Sequence, residues 1–353
     1  MSKAHRLEDP RDRGGPAQPL LLVRDLKKHF PAKGGLFARH EMVQAVDGVS
    51  FNVMKGTTLG VVGESGCGKS TTARLLLHLI EPDSGDIVFD GEGVGDPQGI
   101  TVREVRLQTQ MVFQDSYSSL NPRATVADII AFGPRTAKKL APRAARERAE
   151  RLLDQVGLRP NLFARRYPHE LSGGQRQRVN IARALALEPR VLILDEAVSA
   201  LDKSVEAQIL NLLADLRREL NLTYLFISHD LNVVRHVSDR VVVMYLGRIV
   251  EAGEAEAIFS RPHHPYTRAL LRAMPSMDPD RRTEVSPLTG DPPNPINPPS
   301  GCRFRTRCAF AESVCARVAP GLLPIGNEHD VACHMMVPGS GHSRADAVVA
   351  ADD

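Results

Sequence analysis

Gly63-Glu64-Ser65-Gly66-Cys67-Gly68-Lys69-Ser70-Thr71 is the stretch whose reading decides the fold. Its spacing, G-x-x-x-x-G-K-[ST], is that of a phosphate-binding loop (P-loop). Thr57-Thr58-Leu59-Gly60-Val61-Val62 before it reads as a short buried strand. After it, Leu75, Leu76, Leu79 and Ile80 fall at helical spacing, which predicts a helix from Ser70 to Ile80. A Gly-rich turn between strand and helix points successive N–H groups into one concavity, and the helix N-terminus adds partial positive charge. In such a loop Lys69 reaches the β- and γ-phosphates of a nucleotide, and the Ser70 hydroxyl ligates Mg²⁺.

The chain has 353 residues, enough for two or three domains. Its 42% hydrophobic and 25% charged residues are ordinary for a globular protein. A net charge of +3 is too mild to argue for nucleic acid, and a face meeting membrane proteins or anionic lipid fits it equally well. No apolar run approaches the ~18 to 20 residues needed to span a bilayer. Met1 to Gln18 mixes charge with Pro and Gly and lacks the apolar segment of a signal peptide. These features place the expected location in the cytoplasm, where five cysteines read as thiols or metal ligands before disulfides.

Residues 1–18 read as a disordered tail. A first strand is expected from Leu20-Leu21-Leu22-Val23 towards Phe30, a loop over Pro31 to Arg39, and strands at Val43–Val46 and Val49–Phe51. Further strands are predicted at Asp86–Phe89 and Gln110–Phe113, the latter ending at Gln114. A helical stretch runs from Asp128 to Leu158. Its basic residues (Arg135, Lys138, Lys139, Arg143, Arg146, Arg148, Arg151) read as a solvated face.

Leu171-Ser172-Gly173-Gly174-Gln175 follows, then a helix from Arg176 to Leu187 and the apolar run Val191-Leu192-Ile193-Leu194 ending in Asp195-Glu196. In this order behind a P-loop, these segments make the chain resemble an ATP-binding cassette (ABC) ATPase over about residues 20–260. The resemblance implies an α/β, P-loop NTPase (RecA-like) cassette over 19–260, with an inserted helical subdomain at about 115–175. Gly63 to Thr71, Cys67 included, then match the ATP-binding loop, and Phe30 the aromatic that stacks on adenine. Gln114 matches the glutamine that meets Mg²⁺ or the attacking water beside the transmembrane partner. Asp195 corresponds to the carboxylate that holds Mg²⁺ with Ser70 and Gln114. Glu196 matches the general base, and His229 the switch histidine at the γ-phosphate. Asp202, in Ser199-Ala200-Leu201-Asp202, matches the D-loop. Ser172, Gly173, Gly174 and Gln175 match the signature that caps the ATP of a second cassette, identical or not. The chain departs from the commonest family pattern at Ala197, where many cassettes have Pro.

Beyond the cassette, His264-Pro265-Tyr266-Thr267-Arg268-Ala269-Leu270-Leu271 and Asn297-Pro298-Pro299-Ser300-Gly301-Cys302-Arg303-Phe304 flank a Pro-rich linker, Pro275 to Pro299. Together with Ser119-Leu120-Asn121-Pro122-Arg123, they resemble the dipeptide and oligopeptide importer ATPases. That implies a small C-terminal extension over 261–338, followed by a disordered tail at 339–353. It also implies two membrane permeases and an extracytoplasmic solute-binding protein, with the chain peripheral on the cytoplasmic face of the inner membrane and no nucleic-acid partner. Nickel and glutathione importers share the extension, and a DNA-repair or translation ATPase without a membrane partner is the more distant alternative. Those proteins usually carry two cassettes in one chain, and here there is one P-loop and one signature.

Four of the five cysteines (Cys302, Cys308, Cys315, Cys333) lie in the extension, whereas Cys67 reads as structural. Zinc sites favour tight C-x₂-C pairs, which are absent, and wider spacing suits a [4Fe–4S] cluster. The resemblance points to the same cluster, with Zn²⁺ as the alternative. Arg303, Arg305 and Arg307 are expected to offset its charge, with His334 as a reserve ligand.

Overall fold

The computed structural model describes residues 11–15, 17–32, 41–115, 117–274, 293–326 and 328–345. Residues 33–40, most of the expected loop after Pro31, lie outside them, as does most of the Pro-rich linker (275–292). The fold opens with β1 (Pro19–Pro31) and β2 (Met42–Met54), an antiparallel pair in register from Pro19↔Met54 to Pro31↔Met42. Where two strands were expected across Val43 to Phe51, the structure has one. Asp25 (φ 45°) and Gly48 (φ 78°) absorb the irregularity as a bulge, so the ladder bends without breaking.

Then follow β3 (Thr58–Val62), α1 (Lys69–Leu76), β4 (Ser84–Phe89), β5 (Glu92–Gly93), α2 (Val102–Gln108) and β6 (Thr109–Val112). Helix α1 stops four residues short of the expected Ile80: His78 turns the backbone to φ 49°, and Leu79 is left 51% exposed. The helical subdomain contains α3 (Val126–Thr136), α4 (Pro142–Gln155) and α5 (Pro160–Phe163), and leads into α6 (Gly173–Leu185). The helical stretch expected from Asp128 to Leu158 comprises two helices, α3 and α4, with Pro142 at the first position of the second. Arg135, Lys139, Arg143, Arg146 and Arg151 face solvent, with Arg143–Glu147 and Arg146–Glu150 paired one turn apart, whereas Lys138 and Arg148 are half-buried against Glu188.

The catalytic half continues as β7 (Val191–Asp195), α7 (Lys203–Leu220), β8 (Thr223–Ile227), α8 (Leu231–Val237), β9 (Arg240–Tyr245), β10 (Arg248–Glu254) and α9 (Ala255–Ser260). The extension supplies α10 (Pro265–Arg272), α11 (Ser313–Arg317), β11 (Leu323–Pro324) and β12 (Asp330–Val331). Two sheets result: β2-β1-β4-β5, antiparallel, and β11-β12-β10-β9-β3-β8-β7-β6, whose strands from β9 to β6 are parallel. Strand β3 is buried along its whole length, as a central parallel strand covered on both faces must be. Along β7, Val191 and Ile193 pack towards the antiparallel sheet while Leu192 and Leu194 pack towards the helices.

Both expected tails depart from the prediction where they are described. Asp12 pairs with Lys55, which also holds the buried Asp90 at 2.7 Å, and Arg11 donates to the Glu188 carbonyl at 2.8 Å. Arg190 reaches Asp90 from the other side at 2.7 Å, so a buried carboxylate between two cations anchors this segment. At the other end His342 and Ala345 are buried; 346–353 lie outside the described residues. Among the described residues no helix is long and apolar enough to cross a membrane.

Candidate active site

The P-loop joins β3 to α1 at the centre of the parallel sheet, where strand order reverses direction away from β3. Gly63 (φ 150°) and Gly68 (φ 108°) are required here. A Cβ at Gly63 would lie 2.2 Å from the Met244 carbonyl oxygen, and one at Gly68 2.2 Å from that of Ala45. The loop borders a cavity of about 500 Å³ lined by Val43, Ala45, Ser65 to Thr71 without Cys67, Gln114, Glu196 and His229. Lys69 is buried, and its ammonium donates to the carbonyls of Gly63 (2.6 Å) and Glu64 (3.1 Å). It also lies 3.8 Å from the Cys67 sulfur.

Opposite the loop, β7 delivers Asp195 and Glu196. The Ser70 hydroxyl donates to Asp195 Oδ1 at 2.9 Å. Burial, with the neighbouring Glu196 charge adding to it, raises the Asp195 carboxyl above its ordinary range. A buried carboxylate with a hydroxyl against it is a hard-oxygen donor pair of the kind Mg²⁺ takes. Glu196 adopts φ 48°, unusual for a residue with a side chain, and its N–H donates to the Ile227 carbonyl at 2.9 Å. Its carboxylate accepts from Gln114 Nε2 at 2.8 Å and lies 3.4 Å from His229 Nδ1. Two residues that follow β6 and β8 thus converge on the carboxylate that follows β7.

Phe30 pairs in register with Val43, which lines the cavity, but Phe30 itself lies outside the lining, with the Lys28 ammonium 5.7 Å above its ring. The signature residues also lie away from the cavity. Ser172 caps α6, accepting from Gln175 N at 3.3 Å, while Gln175 Oε1 accepts from Ser172 N at 3.0 Å. The start of α6 packs on α7, where a Cβ at Gly174 would meet Val205 Cγ1 at 2.5 Å. Asp202 caps α7, accepting from Val205 N at 2.9 Å. A second cavity, of about 600 Å³, lies between α4 and α7, and there Glu188 neutralises Lys138 and Arg148.

The extension meets the P-loop directly, which sequence reasoning did not find. Tyr266, fully buried on α10, accepts through its hydroxyl from Glu64 N at 2.8 Å. Arg307 donates to both Glu64 oxygens, at 2.7 and 3.0 Å. The arginines expected to balance an iron–sulfur cluster are therefore engaged elsewhere: Arg303 holds Gln44, Asp47 and the Leu246 carbonyl, and Arg305 holds Ser300. His334, the reserve ligand, has its Nε2 2.9 Å from the Val318 carbonyl oxygen. Cys302, Cys308 and Cys315 all bear electrostatically on Cys333. Burial pushes the Cys302 thiol up to about 11 and that of Cys333 up to about 12. Among the described residues, however, no group of three or more His, Cys, Asp or Glu side chains is arranged to hold a metal ion, so the expected tetrad is not assembled.

Residues 46–199 match the ABC transporter family model, and residues 250–315 match the model of the oligopeptide/dipeptide transporter C-terminal region. The AppF oligopeptide transport ATP-binding protein of Bacillus subtilis is 50% identical over 90% of this chain and 98% of its own. The chain belongs to the ABC transporter ATP-binding proteins. The Escherichia coli dipeptide transport ATP-binding protein DppF is likewise 50% identical, over 90% of this chain and 94% of its own. A probable peptide ABC transporter ATP-binding protein of Sinorhizobium fredii, y4tS, reaches 52% over 90% of each chain. Among solved structures, a dimeric bacterial ABC transporter cassette, MJ0796, aligns with a TM-score of 0.58 and 28% identity over 67% of this chain and 98% of that one. The same cassette is known in a post-hydrolysis state bound to ADP and phosphate, at the same score. This ABC protein is an ATPase built on the P-loop fold, as its sequence implied.

Proposed function

We propose that this ABC ATPase powers a di- or oligopeptide importer, working as one of two cassettes beneath two membrane permeases. The observation that carries the reading is the convergence of Gln114 and His229 on Glu196, across one cavity from Lys69 and the Ser70–Asp195 pair. The peptide assignment is supported by relatives named for peptide transport whose similarity spans the extension as well as the cassette. Delivery by an extracytoplasmic binding protein, and a peripheral place on the cytoplasmic face of the membrane, follow from the same reading. So does the division into a cassette over 19–260 and an extension over 261–338.

The P-loop N–H groups and the Lys69 ammonium hold the ATP phosphates, the lysine leaving two main-chain carbonyls to do so. Phe30, whose strand partner Val43 lines the cavity, is assigned to stack on the base. Ser70 and Asp195, with Gln114 near them, hold Mg²⁺, which when bound neutralises charge building on the β- and γ-phosphate oxygens. Glu196 takes the proton of the attacking water, and Gln114 orients its carboxylate through the 2.8 Å hydrogen bond. His229, largely exposed beside Glu196, is free to meet the γ-phosphate. Ser172, Gly173, Gly174 and Gln175 lie outside this cavity and would cap ATP on a partner cassette, while Asp202 caps the neighbouring α7. Uptake measured in cells lacking the chain tests the substrate. Loss of di- and oligopeptide uptake with Ni²⁺ and glutathione uptake intact is expected, and the reverse pattern would overturn the peptide reading.

For the cysteines, the reading of a structural [4Fe–4S] cluster outside the ATP site rests on their spacing alone, since the described residues do not bring three or more ligands together. Of the four in the extension, Cys315 and Cys333 are buried and Cys302 and Cys308 half-buried. Anaerobically purified chain should carry iron and sulfide at about four each. One zinc per chain, or no metal, would refute it.

A further inference from the structure

Glu64 is the second residue of the P-loop, yet it does not line the nucleotide cavity. Its groups are claimed by the extension more than 200 residues away in sequence. The Gly63–Glu64 peptide is held from both sides. Its N–H donates to the Tyr266 hydroxyl at 2.8 Å, and its carbonyl, that of Gly63, receives the Lys69 ammonium at 2.6 Å. The Glu64 carboxylate is gripped by the Arg307 fork, whose side chain is 5% exposed. Two-point guanidinium–carboxylate geometry fixes orientation as well as distance.

Tyr266 is itself fixed. Its ring lies 4.6 Å from that of Tyr245 and 5.4 Å from that of Phe304. Its N–H donates to His264 Nδ1 at 3.0 Å, and the N–H groups of His263 and His264 donate to the fully buried Glu251 on β10, at 2.6 and 3.1 Å. The His-Pro-Tyr segment therefore starts α10 at a fixed place and aims one hydroxyl at one peptide of the P-loop.

We infer that Tyr266 and Arg307 are positioning residues for ATP: from the extension they orient the Gly63–Glu64 peptide and so set where the Lys69 ammonium rests. The ATP-binding segment of the cassette is then completed by the C-terminal extension. The inference rests on the ATP-site reading above. It concerns ground-state binding, since neither residue touches Glu196, Gln114 or His229.

The test uses the full chain, with ATP affinity and steady-state hydrolysis measured alongside melting temperature. Tyr266→Phe removes one hydroxyl and leaves the Glu64 N–H without its acceptor. KM for ATP is expected to rise about five-fold with kcat within about two-fold and melting little changed. Arg307→Met should act in the same direction, Arg307→Lys should recover part of the loss, and Arg307→Met with Glu64→Gln should be no worse than either alone. Unchanged KM in a folded Tyr266→Phe protein would overturn the inference, as would additive losses in the Arg307–Glu64 pair. Should Arg307→Met fail to fold, Tyr266→Phe decides alone. Failure of the unmutated chain to bind ATP would instead refute the ATP-site reading.

Discussion

His264 is fully buried and neutral, and its burial makes stability fall in acid over a defined pH window. Loss of solvation, the largest cause, pushes it down to about 4 from an ordinary 6.5; Arg268 adds to this and the Glu251 carboxylate opposes it. Below pH 6.5 the unfolded chain takes up a proton at this position while the folded chain does not, so folding loses free energy with every step down. The loss is complete by about pH 4 and, at 1.36 kcal/mol per pH unit, amounts to about 3 kcal/mol. With an unfolding entropy of about 2.1 cal/mol/K per residue, a chain of this length drops about 4 °C in melting temperature from this group alone. Other groups titrate too, Glu251 among them, so the contrast is a His264→Asn variant, whose amide oxygen keeps an acceptor for the Tyr266 N–H. Calorimetry from pH 7 to pH 4 should show the variant losing about 4 °C less than the parent chain. Parallel pH profiles for the two proteins would refute the reasoning.

Lys69→Ala removes the cation that meets the phosphates. ATP affinity should fall at least about ten-fold in an equilibrium binding assay, since a charge-assisted contact is worth about 1.5–3 kcal/mol. Glu196→Gln keeps the shape and a contact to Gln114 but cannot take a proton. Hydrolysis should drop about 10²- to 10⁴-fold with ATP binding retained and the closed dimer favoured, as gel filtration with ATP would show. Gln114→Ala should reduce permease-stimulated ATPase several-fold more than nucleotide affinity, and equal losses would reduce Gln114 to a cavity wall.

The P-loop, the strand ending in Asp195-Glu196 and the signature were legible because each is a local spacing with a local physical reason. Of the residues named, Lys69, Ser70, Gln114, Glu196 and His229 border one cavity, whereas Phe30 lies outside its lining. What the sequence hid was long-range. No periodicity links Tyr266 or Arg307 to Glu64, because a hydrogen bond between residues 202 positions apart leaves no local pattern. Arg307 instead drew attention through its neighbour Cys308, which led to the wrong partner. Helix ends were misread for a related reason. The apolar spacing that ran on to Ile80 says nothing of the backbone turn at His78, which leaves Leu79 facing solvent.

The pairing of β12 on β10, Val331 opposite Glu251 and Asp330 opposite Ala252, has a bearing on how the protein is made. As the chain leaves the ribosome, β10 is complete at Glu254, but its outer neighbour arrives only with Val331. At about 5–20 residues per second, the interval is about 4 to 15 s. During it the edge presents unpaired backbone groups beside Val250 and Ala252, and the buried Glu251 carboxylate lacks His329, which later sits 2.8 Å away. The nascent protein is thus open to strand addition by other chains until its last segment is delivered. Pausing or truncation between residues 260 and 330 would therefore yield aggregates sooner than the full chain does.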